Sequence, residues 1–274
     1  MSEHPVDAAV AYIRGKTGGR SPKVAIVCGS GLGGVADAVE DPLPIPYTDI
    51  PGFPVPTVAG HAGKLILGDV GGKSVAVMMG RVHIYEGTGM DRLKTMIRSM
   101  KELGVNVLVL TNAAGSMMPE VGAGELVMLT DHINFTGTSP LFGPNDDRFG
   151  PRFVDLTEAW DVKLREAARH AASEENITLH QGVFGGWMGP AFETPAEIRM
   201  MRTLGCDTVG MSMIAENLIA RHCDLRVLGI SAITNLACGL SDVKLSHEHT
   251  LAMAKKGDGN LTRLIARIVR NLEG

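Results

Sequence analysis

An α/β fold built on one mixed sheet is what the sequence predicts, and three observations carry that prediction. Short apolar runs rich in Val, Ile and Leu alternate with stretches whose apolar residues recur at helical spacing. Several of those runs end abruptly in Gly, Ala or a polar residue, as strands do where they open into turns. No repeat, low-complexity tract or linker interrupts the chain, so residues 1–274 read as a single domain with helices flanking a central sheet.

The composition is that of a globular protein: 274 residues, 45% hydrophobic and 20% charged. A net charge of −4 offers no basic surface for nucleic acid or a membrane. No apolar run is long enough to span a bilayer. Cys28, Cys206, Cys223 and Cys238 are scattered with no C-x-x-C, which argues against structural zinc or a disulfide framework. The first residues show no basic region followed by an apolar run, so no signal peptide is expected. A cytoplasmic protein with reduced thiols is the expectation.

In chain order, residues 6–14 predict a short helix and residues 23–28 (KVAIVC) a buried strand. That strand ends in Gly29-Ser30-Gly31-Leu32-Gly33-Gly34, a formal match to the dinucleotide fingerprint. A dinucleotide fold places a second strand ending in an acidic residue about 20 positions on. Pro42, Pro44 and Pro46 occupy that region, and they do not suit a central strand. A glycine-rich turn at a strand end still suits phosphate, and Ser30 adds a hydroxyl donor.

Residues 64–69 and 73–79 flank Gly71-Gly72 as a hairpin. The second of these strands runs into Gly80-Arg81-Val82-His83-Ile84-Tyr85-Glu86-Gly87. Arg81 and His83, two apart in extended chain, share a side. Arg81 offers paired N–H donors to an oxyanion. The plainer alternative is an Arg81–Glu86 surface ion pair with His83 packed, but so dense a polar cluster after a strand favours a site.

Leu93, Met96, Ile97, Met100 and Leu103 follow helical spacing, with Gly104 as the cap. Val107-Leu108-Val109-Leu110 reads as a strand buried on both faces. Asn112, Ala113, Ala114 and Gly115 then read as a bare turn at its carboxyl end. Open α/β sheets bind ligands there, and exposed N–H groups suit an anion. An empty tight turn is the alternative reading.

Residues 125–130 form the next expected strand. Residues 135–153 are a long irregular segment whose Phe142, Phe149 and Phe153 need cover, as at an interface. Leu164, Ala167, Ala168 and Ala171 mark a helix, and residues 182–187 a glycine-weakened strand. The latter leads to Gly189-Pro190-Ala191-Phe192-Glu193-Thr194, and Pro195 starts a helix. Residues 209–212 and 225–234 are the last strands, with a helix over 214–222 between them and an amphipathic helix at the end.

Pooled, the strand ends and nearby turns offer Ser30, His61, Arg81, His83, the Ala113 backbone and Ser212. That is a set of phosphate-type ligands with no metal-binding cluster. They also offer Tyr85, Phe192, Met211, Glu193 and Asn235, which are apolar faces for a flat ring with a carboxylate and an amide for its edge.

The segments CGSGLGG, GHAG, GRVHIYEG, TNAAG, DHIN, GPNDDRFG, GPAFET, VGMS, ARHCDLRV, ITN and LSHEHT occur in order over nearly the whole chain. In these the chain resembles the trimeric purine nucleoside phosphorylase family, of the 6-oxopurine type. The resemblance implies a single-domain nucleoside phosphorylase fold, a homotrimer and reversible phosphorolysis of purine nucleosides, with phosphate as co-substrate and no metal or organic cofactor. It implies that Ser30, His61, Arg81, His83, the Ala113 backbone and Ser212 hold phosphate. Tyr85, Met211 and His247 would contact the ribose, and Phe153 would close a neighbouring subunit's ribose site. Glu193 and Asn235 would read the purine edge, with Phe192 against its face. His83, Glu193, Asn235 and His247 are the catalytic candidates.

Two departures stand out. The family's VGMSTVPE is Val209-Gly210-Met211-Ser212-Met213-Ile214-Ala215-Glu216 here, a change read as packing. Position 187, usually smaller, is Trp. Trp187 either packs in the core or turns its indole N–H toward a 2-oxo group, as in xanthosine. The competing readings are a methylthioadenosine phosphorylase, a nucleoside-binding module without catalysis and, distantly, a dinucleotide-dependent oxidoreductase.

Overall fold

Strand β1, Val24–Val27, is buried along its whole length, as its unbroken apolar run requires. Its residues alternate between two cores. Ala25 and Val27 face one, and Val24 and Ile26 the other. The computed structural model describes residues 4–87 and 89–272. Part of the opening stretch read for a signal peptide lies outside these residues.

The remaining elements in order are α1 (Pro5–Thr17), ahead of β1, then β2 (Glu40–Pro46), β3 (Lys64–Val70), β4 (Lys73–Met79) and α2 (Met90–Glu102). They continue with β5 (Val107–Ser116), β6 (Leu126–Asn134), α3 (Val162–Glu174), β7 (Leu179–Gly186) and α4 (Pro195–Thr203). The chain then forms β8 (Thr208–Gly210), α5 (Ile214–His222), β9 (Arg226–Leu236) and α6 (His247–Asn271).

The described strands make one nine-stranded mixed sheet in the order β2-β3-β4-β1-β5-β8-β7-β6-β9. A further pairing of β5 with β9 closes the last five strands into a ring. Helices α1, α2 and α5 cover one face, and α3 and α6 the other. No helix among the described residues is long and apolar enough to cross a membrane.

Two sequence expectations change in detail, and the rejection of the dinucleotide fingerprint holds. The proline-rich segment is a strand after all, but an edge strand, antiparallel to β3, where missing N–H donors do little harm. The glycine fingerprint leads into a short 3-10 turn, Gly34–Ala38, and not into the long helix a dinucleotide fold needs. Residues 112–115 are not a turn. Strand β5 continues through them to Ser116, paired along its length with β9.

That pairing slips once. Ala114 lies opposite Ile233, but Gly115 lies opposite Asn235. Thr234 is therefore an extra residue on β9, a bulge that re-aims the side chain after it. Strands β4, β1, β5 and β9 are mutually parallel, so their carboxyl ends share one rim. Strand β8 runs antiparallel to the end of β5, with Val209 opposite Gly115, and delivers Met211 and Ser212 to that rim.

Leu264 on α6 is fully buried in the second core. Leu264→Ala should cost about 2–5 kcal/mol through lost burial and the residual cavity. Urea unfolding should show a lower midpoint with an unchanged slope.

Candidate active site

The shared rim holds a cavity of about 300 Å³. Ser30 enters it from the turn after β1, Arg81 and His83 from the end of β4, and Ala113 from β5. A side-chain carbon at Gly29 would stand 2.6 Å from the Asn112 Cα, so glycine is needed where this turn crosses β5.

Arg81 is the anchor of one wall. It is 1% exposed and its Nε lies 2.8 Å from Glu216 Oε1 on α5. Its Nη1 donates to the Thr111 carbonyl at 2.7 Å and to Ser212 Oγ at 3.0 Å. Its buried Nη2 has no partner among the described residues. Because Ser212 Oγ already accepts, its own proton is left to donate.

The same logic orients Ser30. The Arg81 backbone N–H donates to His61 Nδ1 at 3.4 Å, which leaves the ring proton on Nε2. Nε2 stands 3.0 Å from Ser30 Oγ and donates to it, freeing the Ser30 hydroxyl proton. Burial, helped by the charges of His83 and Arg81, pushes the His61 pKa down to about 3, so the ring stays neutral. His61 itself does not line the cavity.

His83 leans on Glu86, not on solvent. Its Nδ1 lies 3.1 Å from Glu86 Oε1, and its backbone N–H donates to the same oxygen at 2.7 Å. Burial alone would raise the Glu86 carboxyl, but these bonds and two from Thr57 hold it below its ordinary value. Burial and the Arg81 charge push the His83 pKa down, so the neutral ring keeps its proton on Nδ1 and turns the Nε2 lone pair outward. Tyr85 stacks on His83 with ring centroids 4.8 Å apart.

Glu193 and Asn235 lie on another part of the lining, with Phe192 and Met211 as apolar surface. Glu193 is buried, and that burial pushes its carboxyl above the ordinary range. Asn235 follows the β9 bulge. Its Oδ1 accepts from Thr234 Oγ1 at 2.8 Å and its Nδ2 donates to the Leu236 carbonyl at 2.9 Å. One Nδ2 proton is left over. His247, the first residue of α6, lines the mouth beside Leu245 and Thr250 and reaches the Ala59 carbonyl at 2.9 Å.

A family model described as the phosphorylase superfamily matches residues 23–270. The chain belongs to that superfamily. It is 46% identical to purine nucleoside phosphorylase 1 of Bacillus subtilis over 98% of both chains. Purine nucleoside phosphorylase of Schistosoma mansoni, in complex with inosine, superposes with a TM-score of 0.93 at 41% identity, covering 98% of this chain and 97% of the other. The same Schistosoma enzyme in complex with adenosine gives the same TM-score, identity and coverage.

Within this superfamily fold, two singled-out residues besides His61 stand off the cavity lining. Phe153 is 89% exposed. Trp187 packs beside Ile198, Met201 and Val209 in a small apolar cluster and is not on the lining. Packing is therefore the reading its position supports.

Sequence reasoning missed the supporting shell. Glu216 was visible only as the last letter of a motif, since nothing local to it names Arg81 as its partner. The Arg81–Glu86 ion pair weighed above does not form; each of these residues has a different partner. Asn112 also lines the cavity, its Oδ1 held by Ser231 at 2.8 Å and its Nδ2 buried without a partner among the described residues. The altered segment after Ser212 places Met213 at φ 74°, costly for a side chain bearing a Cβ, while burying Met213, Ile214 and Ala215.

Glu216→Ala should leave the Arg81 guanidinium buried and unpaired. The expected loss is about 3–5 kcal/mol of stability, read from denaturant melts. Glu216→Gln, which keeps an acceptor, should lose less.

Proposed function

We propose that this protein is a purine nucleoside phosphorylase acting on 6-oxopurine nucleosides and deoxynucleosides, releasing the free base and α-(deoxy)ribose 1-phosphate in purine salvage. One observation carries the reading: a single cavity joins oriented hydroxyl donors and a buried guanidinium to a carboxylate and an amide. The first group suits an oxyanion and the second a purine edge.

Phosphate would sit against Arg81, the Ser30 and Ser212 hydroxyls and the Ala113 backbone. Arg81 Nη2, buried and unpaired among the described residues, gains a partner when an anion arrives. His83 would accept a phosphate hydroxyl proton at Nε2. Tyr85, Met211 and His247 would hold the ribose.

Breaking the N-glycosidic bond leaves positive charge on the sugar and negative charge on the base. Fixed phosphate both attacks the anomeric carbon and stabilises that cation. The spare Nδ2 proton of Asn235 meets the charge building on purine N7. Glu193 accepts from N1–H. The phosphate oxygen forms its bond to the anomeric carbon as the base departs with the bonding pair, inverting that carbon, and the departing purine takes up at a ring nitrogen, by exchange through solvent, the proton that phosphate gives up. The chain's own residues and the co-substrate supply all of this chemistry.

A homotrimer completes the reading. Phe142 and Phe153 are 86% and 89% exposed. The loop between them is pinned, not loose: Phe149 is buried with Arg98 4.3 Å and Arg148 5.1 Å from its ring centre. A fixed loop offering two large apolar side chains to water fits an interface, with Phe153 closing a neighbour's ribose site. A cytoplasmic location accords with the free, mostly buried cysteines.

Four outcomes are expected. Hypoxanthine release from inosine should require phosphate and survive chelator; equal release without phosphate would make the protein a hydrolase. Inosine and guanosine should exceed adenosine in kcat/KM, because adenine faces the Glu193 carboxylate with a lone pair, at roughly 1–3 kcal/mol. A Glu whose pKa is raised takes up its proton earlier as pH falls, and the protonated acid can donate to adenine N1. The inosine preference should therefore shrink as pH falls, beginning above the range in which an ordinary glutamate takes up its proton, and a ratio unchanged throughout the acid limb would remove Glu193 from the base edge. Light scattering should give about three times the 29.1 kDa chain; a fully active monomer would take Phe153 out of the site.

A further inference from the structure

Asp258 stands on α6, away from the cavity lining, and its carboxylate reaches the glycine-rich turn. Its Oδ2 and Oδ1 lie 3.2 and 3.3 Å from the Gly34 backbone nitrogen, which donates to them. Gly34 ends the run of residues 29–34 that leaves β1 and carries Ser30. The approach is close: a Cβ at Gly34 would sit 2.6 Å from Thr262 Oγ1 and 2.8 Å from Asp258 Oδ2. Asp258 and Thr262, four apart on α6, therefore form one seat for the end of this turn.

The charge on Asp258 needs a reason. No cation contributes to its environment among the described residues, and the charged neighbour that does is Asp37, of like sign. Partial burial raises its carboxyl further. An unpaired negative charge behind an anion-binding turn opposes the anion, so ion pairing does not explain it. Its one hydrogen-bond partner among the described residues is the N–H of the turn.

We infer that Asp258 is a positioning residue for phosphate: it fixes the glycine-rich turn through the Gly34 N–H and so sets where the Ser30 hydroxyl stands. The turn is then fastened at three points: the Gly29 N–H donates to Thr111 Oγ1 at 3.1 Å, His61 holds Ser30, and Asp258 holds Gly34. The last lies on the same helix whose first residue, His247, lines the nucleoside side of the cavity. This inference rests on the reading of Ser30 as a phosphate ligand.

The test is steady-state kinetics with inosine and phosphate varied separately for wild type, Asp258→Ala and Asp258→Asn. Asp258→Ala should raise the phosphate KM about tenfold, the scale of one lost hydrogen bond to a charged acceptor, with the inosine KM and the kcat at saturating phosphate within about twofold of wild type. Asp258→Asn keeps an acceptor oxygen and removes the opposing charge, so its phosphate KM should equal or fall below that of wild type. Asp258→Ser, too short to reach Gly34, replaces the alanine variant if that variant does not fold. An unchanged phosphate KM in Asp258→Ala, equal rises in both KM values, or failure of Asp258→Asn to restore the phosphate KM overturns the inference. Wild-type base release that ignores phosphate would instead overturn the phosphorolysis reading itself.

Discussion

A guanidinium buried at the end of β4 is the constraint on which the rest of the site depends. Arg81 is among the largest fully buried side chains of the described chain, and a charge so placed needs partners on every side. It finds them on three elements: Glu216 on α5, the Thr111 carbonyl on β5 and Ser212 after β8. Those partners fix the register of α5 against the sheet. They also decide which way the Ser212 proton points. One nitrogen, Nη2, is left without a partner among the described residues, and an oxyanion is the natural group to complete it. Stability and function meet in this one side chain, because the contacts that make its burial tolerable also hold it ready.

Topology supplies the second half of the site. Four mutually parallel strands end at one rim, so residues far apart in sequence arrive together. The bulge at Thr234 then turns Asn235 out of the ladder, and the Thr234 hydroxyl and Leu236 carbonyl fix which end of the amide is oxygen. Without that extra residue a pairing in register would send Asn235 to the other face. A single inserted residue thus decides whether an amide packs or reads a ring edge.

Much of this was legible in the sequence. The buried strands, the hairpin at Gly71-Gly72 and the helix spacing follow from local periodicity, and the structure has them. Arg81 and His83 share a side because extended chain alternates, and both line the cavity. What could not be read was whatever depends on a distant partner. The small residues 112–115 look like a turn, because small side chains usually mark one. In the fold they are strand, small because β1's turn crosses them at close range and a ligand cavity opens beside them. Glu216 and Asp258 carry no local sign of their roles; each acts on a residue more than a hundred positions away. Trp187 had two readings from sequence, and its place in a small apolar cluster off the cavity lining fits the packing one.

The central claim is that one cavity holds phosphate and nucleoside together so that phosphate displaces the base directly. Phosphorus and proton NMR of the sugar product tests this most directly, with inosine and inorganic phosphate supplied to the enzyme and the first-formed product identified before equilibration. Direct displacement predicts α-ribose 1-phosphate, with one equivalent formed per hypoxanthine released. β-Ribose 1-phosphate, which requires a second displacement, or free ribose with phosphate unconsumed would contradict it.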